Sequence, residues 1–291
     1  MCAPWRYPGS HTVIRVSGPL TLRDVKATNY VTALREGGSL PGLVEADDDG
    51  MYVVKFRGAG QGTASLVAEV VVGELGRRLG VRVPELVVLD LDPRIAPREP
   101  DEEVQELLSV SAGLNLGLDF LPGSVGYDGI GWQPPVEEAA TVLWLDAFTA
   151  NVDRTWRNPN LLVWHRRLWA IDHGAALVFQ HAWPDPQAWA AKRYDLSEHV
   201  LAPVVARLDA ASWAELDARL AAVVTPAVLA EVLALVPDQW LLEMNAAVSD
   251  REARAAAGLE PRDAAAWRER YVVQLAARLD GQRAWAAGVV P

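Results

Sequence analysis

Two short apolar runs, Leu43 to Ala46 and Met51 to Phe56, flank an acidic Asp-Gly turn, and this pattern predicts a β-hairpin. After the glycine-rich stretch "GAGQG", Val67, Val71, Leu75 and Leu79 recur every four residues and stop at Gly80. That is a helical period with a glycine stop. "PELVVLDL" is short and β-branched, and "LNLGLDFLPG" runs into a turn, so both read as strands. The connector "DPRIAPREPDEEVQELLSVSAG" between them is charged and partly helical in pattern. The chain up to residue 125 therefore reads as a small sheet with one main helix.

From Pro135 the period changes. "VEEAATVLWLDAFTA" sets Ala139, Val142, Leu143, Ala147 and Ala150 along one helical face, and "LLVW" and "LWAI" then predict a second hairpin. Further on, Ser212 and Glu215 read as a capping box, and Thr225 with Pro226 as a cap and first-turn pair. Trp267, Tyr271, Leu275 and Leu279 form the last apolar stripe, ending at Gly281. These patterns divide the chain into an N-terminal extension (1–27), a β-rich unit (28–125) and a helical unit (126–291), an α+β class. The join falls near residues 121 to 135, and clefts form at such joins.

Charge narrows the function. With 27 basic against 38 acidic residues the net charge is −11, which opposes a general grip on nucleic acid or on anionic lipid heads. Cys2 is the only cysteine, so no disulfide framework or cysteine metal site is expected, and a reducing cytoplasm fits. Arg6, His11 and Arg15 interrupt the start where an export signal would be apolar, and the greasiest stretch is broken by Pro226 and Glu231. Neither secretion nor a membrane span is expected.

The candidate chemistry lies in "FTANVDRTWRNPNLLVWHRRLWAIDHGAAL". Asp153 follows a helix, Asn158 and Asn160 come next, and the hairpin then returns the chain to Asp172. Two carboxylates brought to one place repel unless a proton or cation lies between them, which points to a divalent ion with oxygen ligands, Mg²⁺ by preference. Phosphoryl transfer needs such a site, together with a cover for the phosphates, a cation to grip them and an Asp to orient the acceptor hydroxyl. Gly37, Gly38, Ser39 and Gly42 offer the cover, Lys55 the cation, Glu69 its carboxylate partner, and Asp153 the base. Strand alternation puts Lys55 on one face with Val53 and Met51, opposite Tyr52, Val54 and Phe56. Each residue alone has a plainer reading: a snorkelling lysine, a punctuating glycine, a turn-capping aspartate. His173 has no second His or Cys at ligand spacing and reads as a neighbour of Asp172 rather than a metal ligand. Asp146 reads as a structural partner for Arg154 or Arg157, and Trp144, Trp156, Trp164 and Trp169 as core.

"YVVKF", "NVDRTWRNPNLL" and "AIDHGAAL", in this order, resemble the HipA-like kinases, relatives of the phosphatidylinositol kinases, over about residues 28 to 200. The resemblance implies a bilobal protein-kinase-like fold, with a small β-rich N-lobe, a larger helical C-lobe and ATP between them. It implies a hinge at Asp119, Phe120 and Leu121, whose backbone would pair with adenine. Asp153, Arg154 and Asn158 keep the family's catalytic spacing, which adds Arg154 to the catalytic set, although Thr155 stands where the family has His. Asn160 occupies the place before the Leu-Leu strand where common kinases carry their metal-binding Asn, so Asn158 and Asn160 both remain metal candidates beside Asp172. The implied activity is ATP- and Mg²⁺-dependent transfer of the γ-phosphate to a hydroxyl of a protein, peptide or small molecule, of serine/threonine type. Thr155 and the long asparagine loop motivate one alternative, a nucleotide-binding pseudokinase. "NVDR" and "IDHG" motivate another, a phosphoinositide-type kinase, which the acidic balance and the missing amphipathic anchor oppose. The chain is short for a full HipA toxin, so toxin action and a DNA-binding partner are not implied.

Overall fold

The computed structural model describes residues 21–34, 40–97, 99–247, 263–280 and 283–286. Five strands, β1 (Arg23–Ala33), β2 (Gly42–Ala46), β3 (Met51–Lys55), β4 (Leu86–Leu91) and β5 (Gly113–Asp119), close into a barrel in the order β1-β2-β3-β5-β4. The predicted hairpin is β2 and β3, paired antiparallel with Glu45 opposite Met51. Alternation along β3 buries Tyr52 and Val54 while Met51, Val53 and Lys55 stay half-buried on the other face. Tyr52, Val54 and Phe56 join Val44, Val87 and Leu89 in the barrel interior.

The sequence patterns do not contain β1. Only Val25 and Ala27 of this strand are buried, two register shifts interrupt its pairing with β2, and most of its other residues are polar. A strand that shows so little period-two contrast has no readable signal. Its first four residues pair in parallel with β4, which closes the expected small sheet into a barrel. β1 begins at Arg23, inside the stretch 1–27 set apart above as an extension. Closure leaves no unpaired edge in this unit, which removes a template for strand-to-strand aggregation.

α1 (Thr63–Arg78) leaves the barrel after β3 and is buried along almost its whole length, with Val67, Val71 and Leu75 fully enclosed. Each such side chain stabilises the fold by roughly 1.5–3 kcal/mol. Gly76 lets it approach α3 (Val136–Thr149), because a Cβ there would stand 3.0 Å from Leu145. The connector after β4 folds into a 3-10 turn and α2 (Glu102–Val110), whose Val104 and Leu108 cap the barrel.

The rest is mainly helical. A small sheet joins β6 (Val125–Gly126), which lies between β5 and α3, to β7 (Leu161–Trp164) and β8 (Arg167–Ala170), which follow α3. Then come α4 (Pro186–Ala190), α5 (Ala202–Val205), α6 (Ala210–Val223), α7 (Pro226–Leu233), α8 (Asp238–Ala247) and α9 (Ala264–Ala277). Thr225 caps α7 as expected, accepting the N–H of Val228. The capping box expected at Ser212 is corrected: Asp209 caps α6 and accepts the N–H of Ser212, which lies inside the helix. Gly281, the expected stop of the last helix, lies outside the described residues. Trp144, Trp240, Trp267 and Trp285 are among the largest fully buried side chains; Trp240 donates to the Leu114 carbonyl at 3.1 Å and so ties α8 to β5. Among the described residues no helix is long and apolar enough to cross a membrane.

Candidate active site

α1 and the segment after β8 meet at Glu69. This carboxylate is 2% exposed, accepts the backbone N–H of His173 at 2.9 Å and of Gly174 at 3.1 Å, and contacts Lys55 Nζ at 3.2 Å. Lys55 also reaches Asp172 Oδ1 at 2.7 Å. The three predicted charged residues thus form one cluster, which binds the barrel to the helical part through side chains and backbone together.

Two carboxylates share one ammonium here, so the cluster carries an excess of negative charge. Burial opposes ionisation of Lys55, yet Glu69 and Asp172 outweigh it and raise its pKa. Burial pushes the Glu69 carboxyl up against the pull of Lys55. Asp172, though mostly buried, is held below the usual carboxylate range by Lys55. An ionised aspartate with its side chain 36% exposed, at the edge of a site with surplus negative charge, suits a hard cation with oxygen ligands. The Asp172 backbone is left-handed, with φ 55°, a conformation disfavoured for residues bearing a Cβ; the bonds on either side of it hold it there.

The second group is built from the end of α3. Ala150 terminates that helix in the left-handed region, and Asn151 then donates to Asp146 and accepts the N–H of Asp153 at 3.1 Å. Asp153 Oδ2 in turn accepts from the Asn158 amide at 2.8 Å and from the Asn160 amide at 3.2 Å. Thr155, the departure from the family pattern, braces the same loop by accepting the N–H of Asn158 at 3.1 Å and pairing with His199.

The two groups are joined through backbone. Ile171 donates to the Asn160 carbonyl at 3.1 Å, so Asn160 and Asp172 flank one pair of bonded strands. Arg154 fastens both sides: its guanidinium donates to the carbonyls of Asn160 and Ile171, and it pairs with Asp146 at 2.5 Å. The expectation that Arg154 is catalytic is corrected here. It is 1% exposed and its donors are committed to protein partners, so it cannot touch a substrate and acts as the fastener beneath the loop. Asp146, read from the sequence as a structural partner of Arg154 or Arg157, pairs with Arg154.

A cavity of about 150 Å³ lies beside the lysine cluster, and Phe56, Gly60, Gln61 and Ser65 line it together with Lys55, Glu69 and Asp172. Gly60, Gln61 and Ser65 carry no chemistry conspicuous in the sequence; the "GAGQG" stretch before α1 is the signal that could have marked them. Gly38 and Ser39 lie outside the described residues. Asp119, Phe120 and Leu121 stand at the end of β5, where Phe120 donates to the Met51 carbonyl at 2.9 Å and Leu121 is buried. They are joined to the lysine through the sheet, since β5 pairs with β3 along Tyr52 to Lys55.

A family model described as HipA-like kinase matches residues 28–259. Among solved structures, a Helicobacter pylori proinflammatory kinase, CtkA, is similar over 89% of this chain and 99% of its own, at 11% identity and a TM-score of 0.52. The Golgi casein kinase matches 89% of this chain and 72% of its own at 11% identity and a TM-score of 0.39. Its Mn/ADP-bound form matches 91% and 75% at 10% identity and a TM-score of 0.41. No curated protein matches the chain.

Proposed function

Because the chain belongs to the HipA-like kinase family, we propose that it is an ATP- and Mg²⁺-dependent kinase that transfers the γ-phosphate to a serine or threonine hydroxyl of a protein or peptide. The observation that carries the reading is Lys55 between Glu69 at 3.2 Å and Asp172 at 2.7 Å, tied through Asn160 to an Asp153 that two asparagine amides orient. In this reading the barrel with α1 and α2 is an N-lobe, residues 28–125 with the start of β1, and residues 126–291 are a C-lobe.

Each residue then has a role. Lys55 neutralises phosphate oxygens, and Glu69 keeps it from swinging out of the cleft. Asp172 and Asn160 would hold the divalent ion: both asparagines spend Nδ2 on Asp153 and keep Oδ1, a hard oxygen, but Asn160 is the one bonded to Ile171, next to Asp172. Asn158 instead positions Asp153. Bound Mg-ATP supplies the phosphoryl group and the charge that offsets it in transfer. Asp153 orients the acceptor hydroxyl and receives its proton. At the hinge Phe120 N–H is already bonded to Met51, so the adenine donor is assigned to Leu121 N–H.

Labelled ATP with cell extract, followed by intact-mass analysis, tests this. Wild type should transfer phosphate, and Asp153→Asn should slow transfer by about 100- to 10,000-fold while leaving nucleotide binding unchanged. ATP binding without any phosphorylated product would instead favour the pseudokinase. A wild type that neither binds nor turns over ATP would sink both.

A further inference from the structure

The chain between β5 and α3 walls a second concavity, of about 430 Å³, around which stand Trp132, Pro134, Arg166, Arg167 and Arg207. Arg166 lies in the β7–β8 turn, Arg167 opens β8 and Arg207 follows α5; all three are exposed, and none has a carboxylate partner among the described residues. The nearby acids are engaged elsewhere. Glu138 holds Arg82 at 2.7 Å and the N–H of Leu168 at 3.1 Å, and Glu137 holds Arg219 at 2.5 Å. Asp128 accepts the N–H groups of Ile130 and Gly131 in its own turn. On a chain whose net charge is −11, this hollow is a local reversal of sign.

The turn itself is unusual. His165 and Arg166 both have left-handed backbone, with φ 49° and 57°, where two-residue hairpins prefer Asn-Gly. A bulky cation therefore occupies a position that chain geometry alone would give to glycine. The groove lies at the turn of the β7–β8 hairpin, the end opposite Asn160 and Asp172, and so stands apart from the catalytic loop on the same unit.

We propose that this groove binds an acidic peptide segment of the protein the kinase phosphorylates, with peptide carboxylates on Arg166, Arg167 and Arg207 and an apolar side chain against Trp132. This rests on the phosphotransferase reading above. Guanidinium groups present forked donors that fit carboxylates, and an indole wall suits a peptide side chain. A single concave hollow suits a short chain better than a bilayer or a duplex, whose extended charge would meet the acidic remainder of the surface. Docking there tethers the protein that carries the acceptor and raises the effective concentration of its hydroxyl at the kinase.

The test uses the full chain without nucleotide and a fluorescein-labelled Glu- and Asp-rich peptide carrying one serine, read by anisotropy. The acidic peptide should bind saturably and its Lys-rich counterpart should not. Arg166→Glu with Arg167→Glu should weaken binding about ten-fold or more, and added salt should weaken it further. Arg207→Ala gives a second, milder variant at an exposed site, and both variants should keep the wild-type melting temperature and ATP-induced stabilisation. In the transfer assay the charge reversal should raise KM for the peptide and leave kcat unchanged. Equal binding of the two peptides, unchanged binding by the variants, or loss instead of binding to anionic phosphatidylserine vesicles would each overturn the proposal. Arginine-dependent peptide binding in a chain that transfers no phosphate would uphold the groove and remove the kinase reading.

Discussion

Arg154 bonds the buried Asp146 carboxylate and Nδ1 of His173, and the half-buried carbonyls of Asn160 and Ile171, while its own side chain is shut off from water. Because Nδ1 of His173 accepts that bond, the ring stays neutral, and burial followed by the Arg154 charge pushes its pKa down to about 3. Removing one partner of a buried pair is far worse than never having had the pair. Arg154→Ala should therefore lower stability by about 3–5 kcal/mol in denaturant titration, with loss of activity following from unfolding of the loop. Asp146 behaves in the opposite sense to a merely buried acid: burial would raise its pKa, but Arg154 and then His199 hold it at about 2, below the ordinary 3.8. Its contribution, on the order of 2 kcal/mol, is fully present above the unfolded-state value and is lost as pH falls through the folded one. Thermal melts between pH 5 and pH 2 should show this loss, and Asp146→Asn should be less stable at neutral pH with a flatter acid limb. At this scale the sequence made the charged set legible, since Lys55, Glu69, Asp153 and Asp172 are chemically conspicuous types at telling positions. It did not make Arg154's burial legible, because an arginine in a loop reads the same whether its guanidinium faces a phosphate or a carbonyl.

Elements with clean periods were read correctly in kind. β2, β3, β4, β5, α1 and α3 all carry apolar spacing that matches their own geometry, and each lies where the pattern put it. β1 failed this reading because its alternation runs only from Val25 to Thr28, breaks at Asn29, and bulges shift its register. The start of α6 failed for a different reason. Asp209, Ser212 and Glu215 all satisfy spacing rules for helix starts, and only the backbone tells which one lies outside the first turn. Asp209→Ala should cost about 0.5–2 kcal/mol in a chemical-denaturation midpoint, whereas Ser212→Ala should be nearly neutral. A Cβ at Gly76 would crowd Leu145 at 3.0 Å, so Gly76→Val should cost about 1–3 kcal/mol by overpacking the α1–α3 contact.

For the whole molecule the decisive contact is Glu69, which joins Lys55 on the barrel to the backbone of His173 and Gly174 beyond β8. A nucleotide bound across that contact stabilises both sides at once. Mg-ATP at about 1,000 times its Kd should add roughly 4 kcal/mol of stability, read as a rise in melting temperature. Asp172→Asn should abolish the magnesium-dependent part of that rise and keep a smaller ATP-only part, because Lys55 remains. By itself the sequence determined the local periods, the acidic balance, the glycine and asparagine punctuation, and the residue types available for phosphate chemistry, since these depend on neighbours a few positions apart. Only the tertiary structure decided that a weakly patterned first strand closes the sheet on β4, that Arg154 lies inside rather than in the cleft, and that three arginines with no carboxylate partner among the described residues gather around Trp132. Those outcomes depend on which distant groups compete for the same charge or the same space, and that competition exists only once the chain has folded back on itself.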